Sequence, residues 1–167
     1  MVKNSSPDDR SFHIARAVDA QQLAAVRNLF VEFVSSLDFD LNFQDFDKEL
    51  TSLPGKYAPP LGELLLASVD EIPAGCIALR PLDNVTCEMK RLWVRPEFRG
   101  IGLGRMLAER IVVAAEDLKY RKMKLDTVAS MVSATSLYRS LGFVETEPYT
   151  FNPLDDAMYF ELDLKSR

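Results

Sequence analysis

Long apolar runs are missing from this chain, and no stretch approaches the roughly 18 residues that a membrane-spanning helix needs. The polar opening MVKNSSPDDRS resembles neither a secretory leader nor an anchor, so no membrane partner is expected. Cysteine is scarce. Cys76 and Cys87 both sit in apolar strand-like runs, too few for a disulfide framework and suited to reduced core thiols in a cytoplasmic protein. The single histidine, His13, lies near the start, where a surface role outweighs catalysis. No His, Cys, Asp and Glu cluster has metal-ligand spacing, so no metal is expected. Basic charge is not in excess either. With 20 Lys and Arg against 25 Asp and Glu, the net charge of −5 argues against nucleic acid as the main partner. Basic residues still gather between Lys90 and Arg110, which keeps a local anion site open.

What remains is an ordinary globular composition on 167 residues, the size of one domain. Residues 1–10 read as a flexible N-terminal tail and 11–167 as a single domain. FHIARAV (12–18) is a candidate strand, and Asp19 with Gln22 three residues on forms a capping box for a helix running to about Ser36. The acidic and aromatic stretch DFDLNFQDFDKEL (38–50) holds a second helix, followed by the breaker-rich loop PGKYAPP (54–60). ELLLASV (63–69), AGCIALR (74–80) and VTCEMKRLWV (85–94), separated by Asp-Glu and Asp-Asn turns, form an antiparallel meander. Leu103, Leu107, Ile111, Ala114 and Leu118 mark a helix face, KMKLDTV (122–128) a strand, and MVSATSLYRSL (131–141) a helix closed by Gly142. FVETEPY (143–149) and AMYFELDL (157–164) end the chain as strands, and their edge could accept a second copy as a homodimer. The order β-α-α-βββ-α-β-α-β-β is a mixed α/β (α+β) fold with a largely antiparallel sheet.

Three glycines stand at alternate positions between the third meander strand and its helix: Gly100, Gly102 and Gly104. Glycine weakens both elements, so the placement suggests a close approach to backbone at a helix N-terminus, where phosphate binds well. The P-loop is excluded, because no Gly-Lys-Ser/Thr follows. The dinucleotide fingerprint is excluded too, because its last glycine is missing and no βαβ unit surrounds it. RGIGLG does match Arg/Gln-x-x-Gly-x-Gly/Ala at Arg99, Gly102 and Gly104, and ATSLYRSLGF follows about thirty residues later. With these two motifs in this order the chain resembles the GNAT superfamily of N-acetyltransferases over roughly residues 12–164.

The resemblance implies acetyl-CoA as co-substrate, lying where strand 85–94 splays from strand 122–128. Its pyrophosphate would meet the backbone of Arg99, Gly100, Ile101, Gly102, Leu103 and Gly104, with Arg99, Arg105 and Arg95 as charged neighbours. Its pantetheine arm would run along Leu92, Trp93 and Val94, with Met131 and Ala134 on the opposite wall. Met131 stands where the family often has an asparagine, which removes one hydrogen bond from the implied set.

Acyl transfer to an amine needs a base for the ammonium proton and an acid for the departing thiolate. The resemblance assigns these to Glu88, directly or through water, and to Tyr138. The competing readings are a strand carboxylate facing solvent or paired with Lys90, and a phenol packed on its helix's inner face. The expected function is transfer of an acetyl group to a primary amine of a small-molecule acceptor. A non-catalytic acyl-CoA-binding sensor of the same fold is the alternative, which loss of Glu88 and Tyr138 would have favoured. Asp38, Asp40, Asp45, Asp47 and Glu49 interleave with Phe39, Phe43 and Phe46. That segment is either a roof favouring a cationic acceptor or a solvated acidic face anchored by its phenylalanines.

Overall fold

The capping box forms as written. Asp19 accepts the Gln22 backbone N–H at 2.8 Å while the Gln22 side chain accepts the Asp19 N–H at 3.1 Å, starting α1 (Ala20–Ser35). The computed structural model describes residues 10–42 and 45–167, so the expected tail, apart from Arg10, and Phe43 fall outside the described residues. β1 (Phe12–Arg16) precedes α1, and α2 (Phe46–Ser52) follows it. Then come β2 (Glu63–Val69), β3 (Ile72–Pro81), β4 (Thr86–Val94), α3 (Leu103–Asp117), β5 (Lys122–Val128), α4 (Val132–Ser140), β6 (Val144–Glu145) and β7 (Ala157–Asp163). The seven strands form one sheet in the order β1-β2-β3-β4-β5-β7-β6, antiparallel throughout except for the β4–β5 pair. The expected strand at 143–149 shrinks to Val144–Glu145, because only those two residues pair with β7 before the chain leaves the edge.

Strand alternation sorts the apolar residues into two cores. Ile77, Leu79, Cys87, Met89, Met123 and Leu125 meet α3 on one face. Leu64, Leu66, Cys76 and Ala78 meet Val26, Leu29 and Phe30 of α1 and Phe46 of α2 on the other. Asp70 and Glu71, at φ 49° and 69°, make the tight β2–β3 turn, whose twist demands positive φ at both positions.

The feature that positions the site is a bulge in β4. Ala78 pairs with Lys90 and Cys76 with Trp93, so Ile77 alone opposes two residues, Arg91 and Leu92. Arg91 takes φ 62°, a left-handed conformation costing a non-glycine residue about 1–2 kcal/mol. Its buried guanidinium is held by Glu49 through Nε at 2.7 Å and Nη2 at 3.2 Å, and it stacks 5.4 Å from the Phe46 ring centroid. β4 pairs with β5 only from Thr86 to Glu88, whereas β5 stays paired with β7 as far as Val128. Beyond Glu88 the two parallel strands part.

Candidate active site

The parting leaves a small cavity of about 100 Å³ lined by Met89, Leu92, Leu125, Met131, Ala134 and Tyr138, among others. The expected cleft is therefore present, between the strands predicted to splay. A second cavity of about 320 Å³ lies beside it under α2, lined by Glu49, Arg80, Glu88, Asp126 and the loop residues Thr150 and Phe151. Lys90 and Asp126 line both.

At the start of α3, Gly100 and Gly102 adopt φ 81° and 84°, and a Cβ on either would have no heavy atom within 4 Å. Gly102 is the N-cap and supplies no side-chain cap. Among the described residues the N–H groups of Gly100, Ile101 and Gly102 find no backbone acceptor, and the first-turn N–H groups of a helix lack intrahelical partners. The turn is thus an open nest of donors at the positive end of a 15-residue helix, which fits a pyrophosphate. Two reasons for glycine coincide: the left-handed backbone and the open approach.

The arginines divide. Arg99 donates from Nε to the Val94 carbonyl at 3.0 Å and lies 4.8 Å from the Trp93 ring centroid, beside the turn. Arg105 reaches Ser140 Oγ at 2.7 Å, tying α3 to α4. Arg95 is turned away. Its guanidinium grips Glu32 of α1 at 2.8–3.1 Å and the Pro73 carbonyl at 2.7 Å, so the expected third phosphate cation is a structural clamp. Trp93 also points to α1, its Nε1–H 3.4 Å from Glu32, and lines neither cavity. Only its backbone is on the cleft strand.

Glu88 is 1% exposed and faces the larger cavity, not solvent. It accepts from Arg80 Nε at 2.7 Å and from the Tyr149 hydroxyl at 2.6 Å, with Lys90 Nζ 3.9 Å away. Burial pushes the Tyr149 phenol well up, and the adjoining Glu88 charge pushes it further. Lys90 moves the other way: burial lowers it against the pull of Glu88. Tyr138 packs against Phe143 and Phe160 with centroids 5.9 and 6.3 Å away. It also lines the small cavity, where no described residue hydrogen-bonds its hydroxyl. Burial, with a smaller contribution from Asp126, raises this phenol to about 12, so it holds its proton at neutral pH. Met131 caps α4 and accepts a 3.5 Å contact from Thr127 Oγ1 to its sulfur.

Cys76 and Cys87 are buried free thiols, and burial raises both, Cys87 to about 12, which keeps them un-nucleophilic. His13 is exposed on the edge strand β1. Among the described residues no cluster could hold a metal ion, and no helix is long and apolar enough to cross a membrane.

Sequence reasoning missed Arg80, Tyr149, Asp126 and the Glu49–Arg91 pair. Arg80 stands directly opposite Glu88 only because the β3–β4 loop includes Val85, with the Leu82 N–H on the Thr86 carbonyl at 2.9 Å. A two-residue Asp83-Asn84 turn would have set Arg80 opposite Cys87. Tyr149 and Asp126 carried no signal, since a loop and a distant strand bring them in. Of the acidic and aromatic segment, Asp45 and Glu49 line the larger cavity and Phe39 the smaller one. Asp40 instead caps Asn42.

Comparison with known proteins agrees with this geometry. Residues 23–143 match the family model of the acetyltransferase (GNAT) family. An uncharacterized N-acetyltransferase of Schizosaccharomyces pombe is 41% identical over 146 residues, covering 86% of this chain and 90% of the relative. A Streptococcus agalactiae acetyltransferase shares the fold at TM-score 0.74 and 23% identity, over 91% of this chain and 98% of that one. The yncA protein of Salmonella typhimurium, solved with its cofactor acetyl-CoA, does so at TM-score 0.67 and 21% identity, over 92% and 94%. The chain belongs to the acetyltransferase (GNAT) family, the acyl-CoA-dependent acetyltransferases that use acetyl-CoA as co-substrate.

Proposed function

We propose that this enzyme acetylates the primary amine of a small-molecule acceptor, with Glu88 as general base through water and Tyr138 as general acid. The observation that carries the reading is the pair of adjoining cavities. One contains Glu88, the other Tyr138, and Lys90 and Asp126 line both. An acceptor in the larger cavity would present its amine at that junction, between a carboxylate and a phenol.

Acetyl-CoA supplies an activated thioester, and the glycine turn with Leu92, Met131 and Ala134 would hold it. The residues handle protons. An alkyl ammonium with a pKa near 10 leaves only about one molecule in a thousand neutral at pH 7, so the site must accept a proton. Both Glu88 oxygens already accept hydrogen bonds, and a water in the cavity would carry the amine proton to a remaining lone pair. As nitrogen bonds to the acetyl carbon and the carbon–sulfur bond breaks, the Tyr138 proton passes to sulfur. Retention of both groups on the cavity walls supports turnover over passive acyl-CoA binding.

Tyr138→Phe tests the assignment cleanly, because its hydroxyl makes no described hydrogen bond whose loss would cost stability. Thiol release from acetyl-CoA should fall at least about tenfold in kcat and kcat/KM together, at unchanged acetyl-CoA affinity. Glu88→Gln should cost about 10²-fold at pH 7 and progressively less as pH nears the amine's own pKa. Normal turnover in either variant removes that residue from its role.

A further inference from the structure

The charges lining the larger cavity are not equally committed. Its carboxylates are mostly taken: Glu49 by Arg91 and Tyr57, Glu88 by Arg80 and Tyr149, Asp126 by Asn152 at 3.1 Å. Three of its cations, Arg80, Lys48 and Lys56, are less so. Arg80 uses only Nε on Glu88, and its Nη1 and Nη2 groups have no hydrogen-bond partner among the described residues. This side chain is 25% exposed on a wall facing the cavity. Lys48 and Lys56 line the same space and form no ion pair among the described residues, against the single exposed carboxylate Asp45 in the same position.

A guanidinium with its paired terminal N–H groups uncommitted presents the planar fork that a carboxylate fills with two parallel hydrogen bonds. The volume of about 320 Å³ is at the low end of small-molecule sites and suits a ligand of amino-acid size. Arg80, Lys48 and Lys56 would repel a polyamine. We propose that the acceptor is an amine that also bears a carboxylate, an amino acid or close derivative, with Arg80 anchoring the carboxylate and the amine at the Lys90–Asp126 junction. This rests on the acetyl-transfer reading above. Asp126 receives the ammonium there, and the Glu88 carboxylate, 3.9 Å from Lys90 Nζ, offsets the positive charge beside it. Glu88, on the Nε side of Arg80, keeps the fork oriented and stands beside the amine it would deprotonate.

The test compares common amino acids with their own carboxamides, and with spermidine, by thiol release from acetyl-CoA using the full-length protein. The carboxylate member of at least one pair should be favoured at least about tenfold in kcat/KM, and over spermidine by more. In Arg80→Gln that preference should fall below about threefold, mainly through KM; Arg80→Lys should restore part of it. The ratio within a pair cancels any common loss caused by disturbing Glu88. Equal use of both members, preference for amide or spermidine, or an unchanged ratio in Arg80→Gln would overturn the proposal. Calorimetric titration of the same pairs into the CoA-saturated protein separates the two readings. If no amine releases thiol, the acetyl-transfer reading fails. Tighter binding of the carboxylate member, lost in Arg80→Gln, still upholds the anchor; indifferent or absent binding rejects it.

Discussion

Replacing Gly102 by asparagine probes the glycine turn with little damage to the backbone. The position sits at φ 84° and ψ 9°, where a new Cβ meets nothing within 4 Å, so the protein itself offers no clash. Asparagine visits the left-handed region more readily than most residues, and the folding penalty should stay within about 1 kcal/mol. For a chain of this size that is about 2–4 °C in Tm. The side chain would instead occupy the space in front of the unpartnered N–H groups. If the pyrophosphate is held there, acetyl-CoA affinity should drop at least tenfold, about 1.4 kcal/mol. Gly104→Ala is the control. Its Cβ would lie 3.8 Å from Val94 Cγ2, an ordinary contact, and no positive φ opposes it. Helix propensity should raise stability by up to about 1 kcal/mol, with affinity kept within about threefold. Calorimetry with CoA and acetyl-CoA reads the binding, and a melting curve reads the fold. Acetylpantetheine, which has no pyrophosphate, should react equally with wild type and Gly102→Asn. Wild-type acetyl-CoA affinity in Gly102→Asn, with Tm within a few degrees, would refute the pyrophosphate site.

Other consequences are independent of that turn. Lys119 ends α3 at φ 69° in a Schellman arrangement, with Tyr120 N–H on the Ala115 carbonyl at 3.1 Å and Lys119 N–H on that of Glu116 at 3.0 Å. Lys119→Gly should therefore raise stability by about 1 kcal/mol in a urea titration, and a decrease would contradict the strain argument. Glu49→Ala leaves the Arg91 side chain, 4% exposed, without its carboxylate. Unfolding free energy should fall by about 3 kcal/mol, Tm by roughly 6–12 °C, and acetyl-CoA affinity with them, because the bulge that parts β4 from β5 loses its brace. A change under 1 kcal/mol would mean that the bulge holds itself. Burial raises Tyr57, Tyr138 and Tyr149 above their ordinary value of 10.0. Groups raised on folding stabilise below the unfolded pKa, so equilibrium stability should hold to about pH 10 and decline above it. A flat profile to pH 12 would exclude this linkage.

The capping box at Asp19 and Gln22, the meander, the glycine turn and the Gly142 stop are short-range features, decided within a few residues by hydrogen-bonding geometry and positive-φ preference. They were legible for that reason, and the order of elements followed from them. Strand β6 was overread because its length depends on how long β7 stays alongside, not on its own residues. Arg95 was misassigned because Glu32, its partner, is 63 residues away and no local pattern links them. The resemblance pointed to the cleft, but not to its cause. Arg91 looks like an ordinary strand residue until α2 delivers Glu49, 42 residues earlier, to hold it in a left-handed bulge. The same holds for the cavity beside the cleft. Local sequence could specify which elements form and where a helix start lies open to phosphate, since those choices are settled by neighbours in the chain. Which charges share a cavity, and which of them are left with donors to spare, depends on contacts between distant segments that only packing the whole chain brings together.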